Sequence, residues 1–144
     1  MSNLKIHFFE EQCHYKIRNK SRLKRGIQQI ISESRKNRAE INIVICSDEF
    51  LLEYNRRFLK RDYLTYVISF DLSDEEQIIY GEVYISIDRI KENAAKYRIS
   101  VEEELARVIF HGALHLTGFN DNTERERQEM QKQEEIYLKS SEIQ

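Results

Sequence analysis

Proline is absent from this 144-residue chain, and glycine occurs only four times. These are the residues that break helices and mark flexible linkers, so their scarcity argues against disordered segments and against separate linked domains. A long apolar run is lacking too: nowhere does the chain approach the roughly 18 uninterrupted apolar residues of a membrane-spanning helix. The opening stretch, MSNLKIHFFEEQCHYK, has no apolar core of signal-peptide length. The expectation is a cytoplasmic protein with no membrane partner. Cysteine is scarce as well. Cys13 and Cys46 stand far apart and form no C-x-x-C pair, which suits small hydrophobes in a reducing compartment rather than ligands or nucleophiles. Finally, neither sign of charge dominates: 23 basic and 25 acidic residues leave a net charge of −2 and a pI near 6.1. Capture of nucleic acid by overall attraction is thereby disfavoured, and any such contact must rest on a local basic patch.

What is present describes one globular domain spanning 1–144. Hydrophobic residues make up 40% and charged residues 33%, intermixed rather than in blocks. LKIHFF (4 to 9) and the β-branched INIVIC (41 to 46) read as strands, and residues 20 to 36 place Leu23, Ile27, Ile30 and Ile31 at helical spacing. Ser47 or Asp48 caps a helix to about Leu59, with Phe50, Leu51, Tyr54 and Phe58 on its inner side. TYVISF (65 to 70) and EVYISI (82 to 87) are further strands, joined either as a hairpin or by a crossover. Helices follow from Asp88 to about Tyr97, from a Ser100/Glu103 capping box onward, and from a T-E-R-E box at Thr123 to about Lys139 with Met130, Ile136 and Leu138 as apolar positions. The predicted fold is α/β (α+β), a small mixed four-stranded sheet covered by about five helices.

The chemistry concentrates in HGALHLTGFND, residues 111 to 121. His111 and His115 are four positions apart, which puts both imidazoles on one helix face with Cβ atoms roughly 6 Å apart. Two ring nitrogens at that spacing can bind one ion at about 2.0–2.1 Å each. Gly118 lets the chain leave the helix axis in a left-handed conformation, and Asp121 then returns a carboxylate as third ligand. Asn120 is the neighbouring alternative, but Asp121 carries the charge. A bare H-x-x-x-H is often only a pair of hydrogen-bonded side chains; the full H-x-x-x-H-x-x-G-x-x-D pattern is much more specific. Metzincin peptidases share this spacing with a glutamate after the first histidine as general base. Gly112 stands there, which leaves a peptidase without its proton acceptor.

HGALHLTGF resembles the signature of the YbeY family, H-G-x-L-H-L-x-G-Y/F-D-H. TYVISF is similar to the family's T-D-V-L-S-F, GEVYIS to its G-D-I-x-I-S, and Met130 with Glu134 to its last helix, so the likeness runs from about residue 41 to 138. The resemblance implies a metal-dependent, single-strand-specific endoribonuclease of rRNA maturation and ribosome quality control. Zn²⁺ is the implied cofactor, one per chain; RNA and the ribosome are the implied partners, and a monomer is the expected state. Three departures stand out: the family's third histidine falls on Asp121, its aspartate after threonine on Tyr66, and its arginine six residues before that threonine on Leu59.

The implied reaction uses an open metal position, where bound water is acidified and a phosphoryl oxygen polarised. Positive charge around the scissile phosphate is then required, and Arg57, Lys60 and Arg61 are the candidates for RNA binding, although a solvated loop is the plainer explanation of them. Thr65, Ser69 and Phe119 read as ordinary strand and packing positions. Two other readings compete. One is a ribosome-assembly factor whose metal mainly holds the last two helices; the other is a peptidase-like hydrolase. Two histidines and a carboxylate also suit Fe²⁺ or Ni²⁺.

Overall fold

Density of β-branched residues places the centre of the fold. In the computed structural model, which describes residues 3–34, 36, 38–59, 67–71 and 77–143, strand β2 (Arg38–Cys46) buries Ala39, Ile41, Ile43 and Ile45. Strand β1 (Asn3–Glu11) pairs with it in parallel, Ile6 against Ile41. On its other side lies β4 (Ile78–Ser86), also parallel, with Ile43 opposite Val83 and Ile45 opposite Ile85. Strand β3 (Val67–Asp71) closes the order β1-β2-β4-β3 by running antiparallel to β4. The sheet is therefore mixed, and β3 and β4 are antiparallel neighbours rather than the ends of a crossover. β4 begins four residues before the predicted strand because Ile78, Ile79 and Tyr80 extend its ladder along β2, and Ile87 is already helical.

Helix α1 (Lys20–Glu33) buries Leu23, Ile27, Ile30 and Ile31, the spacing that the sequence predicts. Helix α2 (Asp48–Tyr54) starts at Ser47, whose hydroxyl accepts from the Phe50 N–H at 3.1 Å, and runs on into one π-helical turn, Asn55–Leu59. Leu51 is fully buried, while the Phe50 ring stacks on Tyr84 and the Tyr54 ring packs against it at a tilt. Cys46 is enclosed beneath this helix, and burial pushes its thiol up to about 12, in keeping with a hydrophobic rather than reactive role.

Helices α3 (Ile87–Tyr97), α4 (Val101–Leu116) and α5 (Glu124–Ser140) form the rest of the shell. The side chains of Ser86 and Ser100 cap α3 and α4, and Thr123 with Glu126 forms the full capping box of α5. Helix α4 is the axle. It touches α1, α3, α5, β3 and β4, and it buries Leu105, Val108, Ile109, Phe110 and Leu114. Each such side chain contributes about 1.5–3 kcal/mol when taken from water. α1 meets it closely at Gly26, where a Cβ would stand 2.4 Å from the Phe110 ring. On α5 the inner positions are Met130, Glu134, Tyr137 and Leu138, whereas Ile136 is 50% exposed. Helical geometry explains the difference, since 130, 134, 137 and 138 share a stripe that 136 does not. Among the described residues no helix is long and apolar enough to cross a membrane.

Candidate metal centre

The last turns of α4 deliver two donors. His111 and His115 place their rings 4.7 Å apart, centre to centre, at 80° to each other. The helix then closes in a Schellman motif, in which the Phe119 N–H donates to Leu114 O and the Gly118 N–H to His115 O, both at 3.1 Å. Gly118 adopts φ +111°, which a side chain would strain. Nothing lies within 4 Å of the place a Cβ would take, so backbone conformation rather than space calls for glycine. Phe119 packs against the core, Asn120 is exposed, and Asp121 arrives beside the two imidazoles.

Asp121 Oδ2 lies 3.4 Å from His111 Nε2 and 3.4 Å from His115 Nε2. Both distances exceed the about 2.7–2.9 Å of a charge-assisted hydrogen bond. They match instead the edge, about 3.3–3.4 Å, of a tetrahedron around an ion bound at about 2.0–2.1 Å. One donor atom from each of the three residues falls within 4.8 Å of the others, and among the described residues this is the group of His, Cys, Asp or Glu that could hold a metal ion. Two imidazoles and a carboxylate suit a divalent transition metal. Side-chain exposure rises from 15% at His111 through 28% at His115 to 37% at Asp121, so the cluster opens toward solvent.

Behind His111 stands a residue to which the sequence reading gave no role. Glu134 of α5, only 6% exposed, brings Oε2 to 2.6 Å from His111 Nδ1. Its signal in the sequence is a lone acid within the Met130, Tyr137 and Leu138 stripe. Next to it, Arg107 reaches Glu135 at 2.7 Å, Glu103 and Glu104 at 3.6 Å, and Glu134 at 3.9 Å. Burial raises the Glu104 carboxyl, with Glu134 and Glu103 adding to the effect and Arg107 and Asn93 opposing it. Burial acts to lower the Arg107 guanidinium, but the carboxylates of Glu135, Glu134 and Glu104 outweigh it and raise it.

A cleft of about 980 Å³ runs from the cluster between α3, α4 and α5. Three arginines line it, and carboxylates occupy each: Arg89 pairs with Asp48 and Glu92, Arg107 with the group above, and Arg127 with Glu124. Each arginine of the cleft is thus already paired with a carboxylate, Arg127 in an exposed pair. Of the three RNA-binding candidates, Arg57 is exposed on the π-helical turn, pairs with Glu53 at 3.4 Å, and does not line this cleft. Lys60, Arg61, Thr65 and Tyr66 lie outside the described residues; Leu59 ends the π-helical turn and Ser69 falls within β3.

Fold and donor set define a class: a single α/β domain whose central helix ends on a two-imidazole, one-carboxylate cluster able to hold one metal ion. Comparison with known proteins narrows it. The family model described as endoribonuclease YbeY matches residues 7–142. The endoribonuclease YbeY of Cytophaga hutchinsonii is 41% identical over 133 residues, covering 92% of this chain and 93% of the relative. That of Amoebophilus asiaticus is 38% identical over 143 residues, covering 99% and 97%. A Thermotoga maritima protein whose structure was determined in solution matches with a TM-score of 0.69 and 26% identity, covering 94% of this chain and 88% of that one. The chain belongs to the YbeY family of endoribonucleases, which are hydrolases.

Proposed function

We propose that this protein is a zinc-dependent endoribonuclease that hydrolyses single-stranded RNA during rRNA maturation and ribosome quality control, working on the ribosome in the cytoplasm. The observation that carries the metal part is the common 3.4 Å approach of Asp121 Oδ2 to both Nε2 atoms, an arrangement that suits a shared ion better than direct hydrogen bonds. Family membership carries the RNA part.

His111 and His115 would hold the ion through Nε2 and Asp121 through Oδ2. When bound, the metal supplies Lewis-acid polarisation of a phosphoryl oxygen and an acidified water. The chain's own residues set how the RNA approaches. The cluster opens toward solvent at His115 and Asp121, so the strand is admitted from that side. A net charge of −2 supplies no general attraction, and Arg57, Lys60 and Arg61 would provide the local positive charge. Relative to three histidines, the Asp121 carboxylate adds negative charge at the ion and lowers its Lewis acidity.

Protein stripped of metal, reloaded with Zn²⁺ and incubated with structured RNA beside a His111→Ala control tests the reading. Cleavage restored by Zn²⁺ and lost in the control is expected; equal cleavage by both overturns it. A second reading is favoured by the position of Asp121 in the α4–α5 connection, where a bound metal would also tie those helices together. In that case chelation unfolds the C-terminal helices.

A further inference from the structure

The carboxylates around the cluster are of two kinds. Asp121 faces Nε2 of both imidazoles at 3.4 Å, whereas Glu134 faces Nδ1 of His111 alone at 2.6 Å. The second is a short hydrogen bond between largely buried groups. A carboxylate accepts and does not donate, so Nδ1 carries the proton and Nε2 is the nitrogen left to meet an ion. His111 comes from α4 and Glu134 from α5, so the bond also joins the two helices on which the site is built.

Glu134 is itself held. Its other oxygen, Oε1, faces Arg107 at 3.9 Å, and Arg107 lies one turn before His111 on α4. Two residues a turn apart on one helix therefore engage the same α5 carboxylate from its two oxygens. Glu135, bonded to the same guanidinium at 2.7 Å, keeps Arg107 in place. One turn on from His111, His115 has no matching partner: its Nε2 meets Asp121, and no hydrogen bond or ion pair to its Nδ1 is made among the described residues.

We infer that Glu134, supported by Arg107, is a positioning residue that fixes His111 in its Nδ1–H tautomer with Nε2 turned to Asp121 before any metal arrives, while His115 is the adjustable ligand. The purpose of this device rests on the metal reading above; its existence does not. Such carboxylate–histidine pairs orient ligands, and their loss typically weakens metal binding about 10- to 100-fold.

Nitrogen NMR of ¹⁵N-histidine protein in the metal-free state reads the tautomers directly, without RNA and without activity. Wild type should show His111 as Nδ1–H and His115 as a mixture of tautomers. Glu134→Met, of the same chain length but without an acceptor, should turn His111 into a mixture and leave His115 unchanged. Titration with Zn²⁺ alone should show affinity about 10- to 100-fold lower in this variant and reduced to a smaller extent in Arg107→Met. An unchanged His111 tautomer in Glu134→Met overturns the inference, and unchanged affinity in Arg107→Met removes Arg107 from it. If Glu134→Met does not fold, Glu134→Gln decides: its neutral amide accepts more weakly, so affinity should fall about tenfold, and an unchanged value overturns the inference. Wild type that takes up no Zn²⁺ would sink the metal reading, while the tautomer measurement would still decide this one.

Discussion

His111 and His115 occupy consecutive turns of one helix face, yet the two turns live in different surroundings. The first is packed against α5 and backed by a buried carboxylate; the second belongs to the last turn of α4, where a glycine turn takes the chain away. Identical side chains are thus given different jobs by what lies behind them. The inner imidazole is held in one orientation by a bond to another helix. The outer one is set only by its own helix and by the loop carboxylate it shares, which leaves it free to adapt as a ligand or substrate enters.

The largest effect that would break or sharpen this contrast comes from removing each ring in the metal-free protein. His111→Ala leaves Glu134 buried without its hydrogen-bond partner, so the fold should lose about 2–3 kcal/mol in urea denaturation. His115→Ala leaves no such orphan and should stay within about 0.5 kcal/mol of wild type, although both variants lose Zn²⁺. Equal losses of stability would erase the distinction. A smaller effect is expected at the turn. Gly118→Ala imposes a positive φ on a residue with a side chain, at a cost of about 1–2 kcal/mol. Because Gly118 steers Asp121 and follows His115, the ¹⁵N signals of His115 should shift while those of His111 stay in place.

Much of this was legible in the sequence, and the reason is locality. The α1 stripe of Leu23, Ile27, Ile30 and Ile31, the Thr123/Glu126 capping box and the His111, His115, Gly118, Asp121 spacing are each set within a dozen residues, where helical period and cap chemistry suffice. Glu134 was not legible as a partner of His111, because 23 residues and a turn separate them and only tertiary packing brings them to 2.6 Å. Ile136 reads as apolar but faces outward, since the register of α5 is decided by which stripe α4 accepts. The start of β4 was lost for a similar reason: Ile78 to Tyr80 look like loop until β2 offers them a ladder. The Arg57 patch is the reverse case, a cluster in sequence whose described member pairs with Glu53 and stands off the cleft at His111.

X-ray absorption at the zinc edge of the reloaded protein tests the central claim most directly, since it counts the atoms around the ion. The account predicts one ion per chain with two imidazole nitrogens and light-atom oxygen neighbours at about 2.0–2.2 Å. Sulfur at about 2.3 Å, which only the cysteines or methionines could supply, or a shell without imidazole, would contradict it.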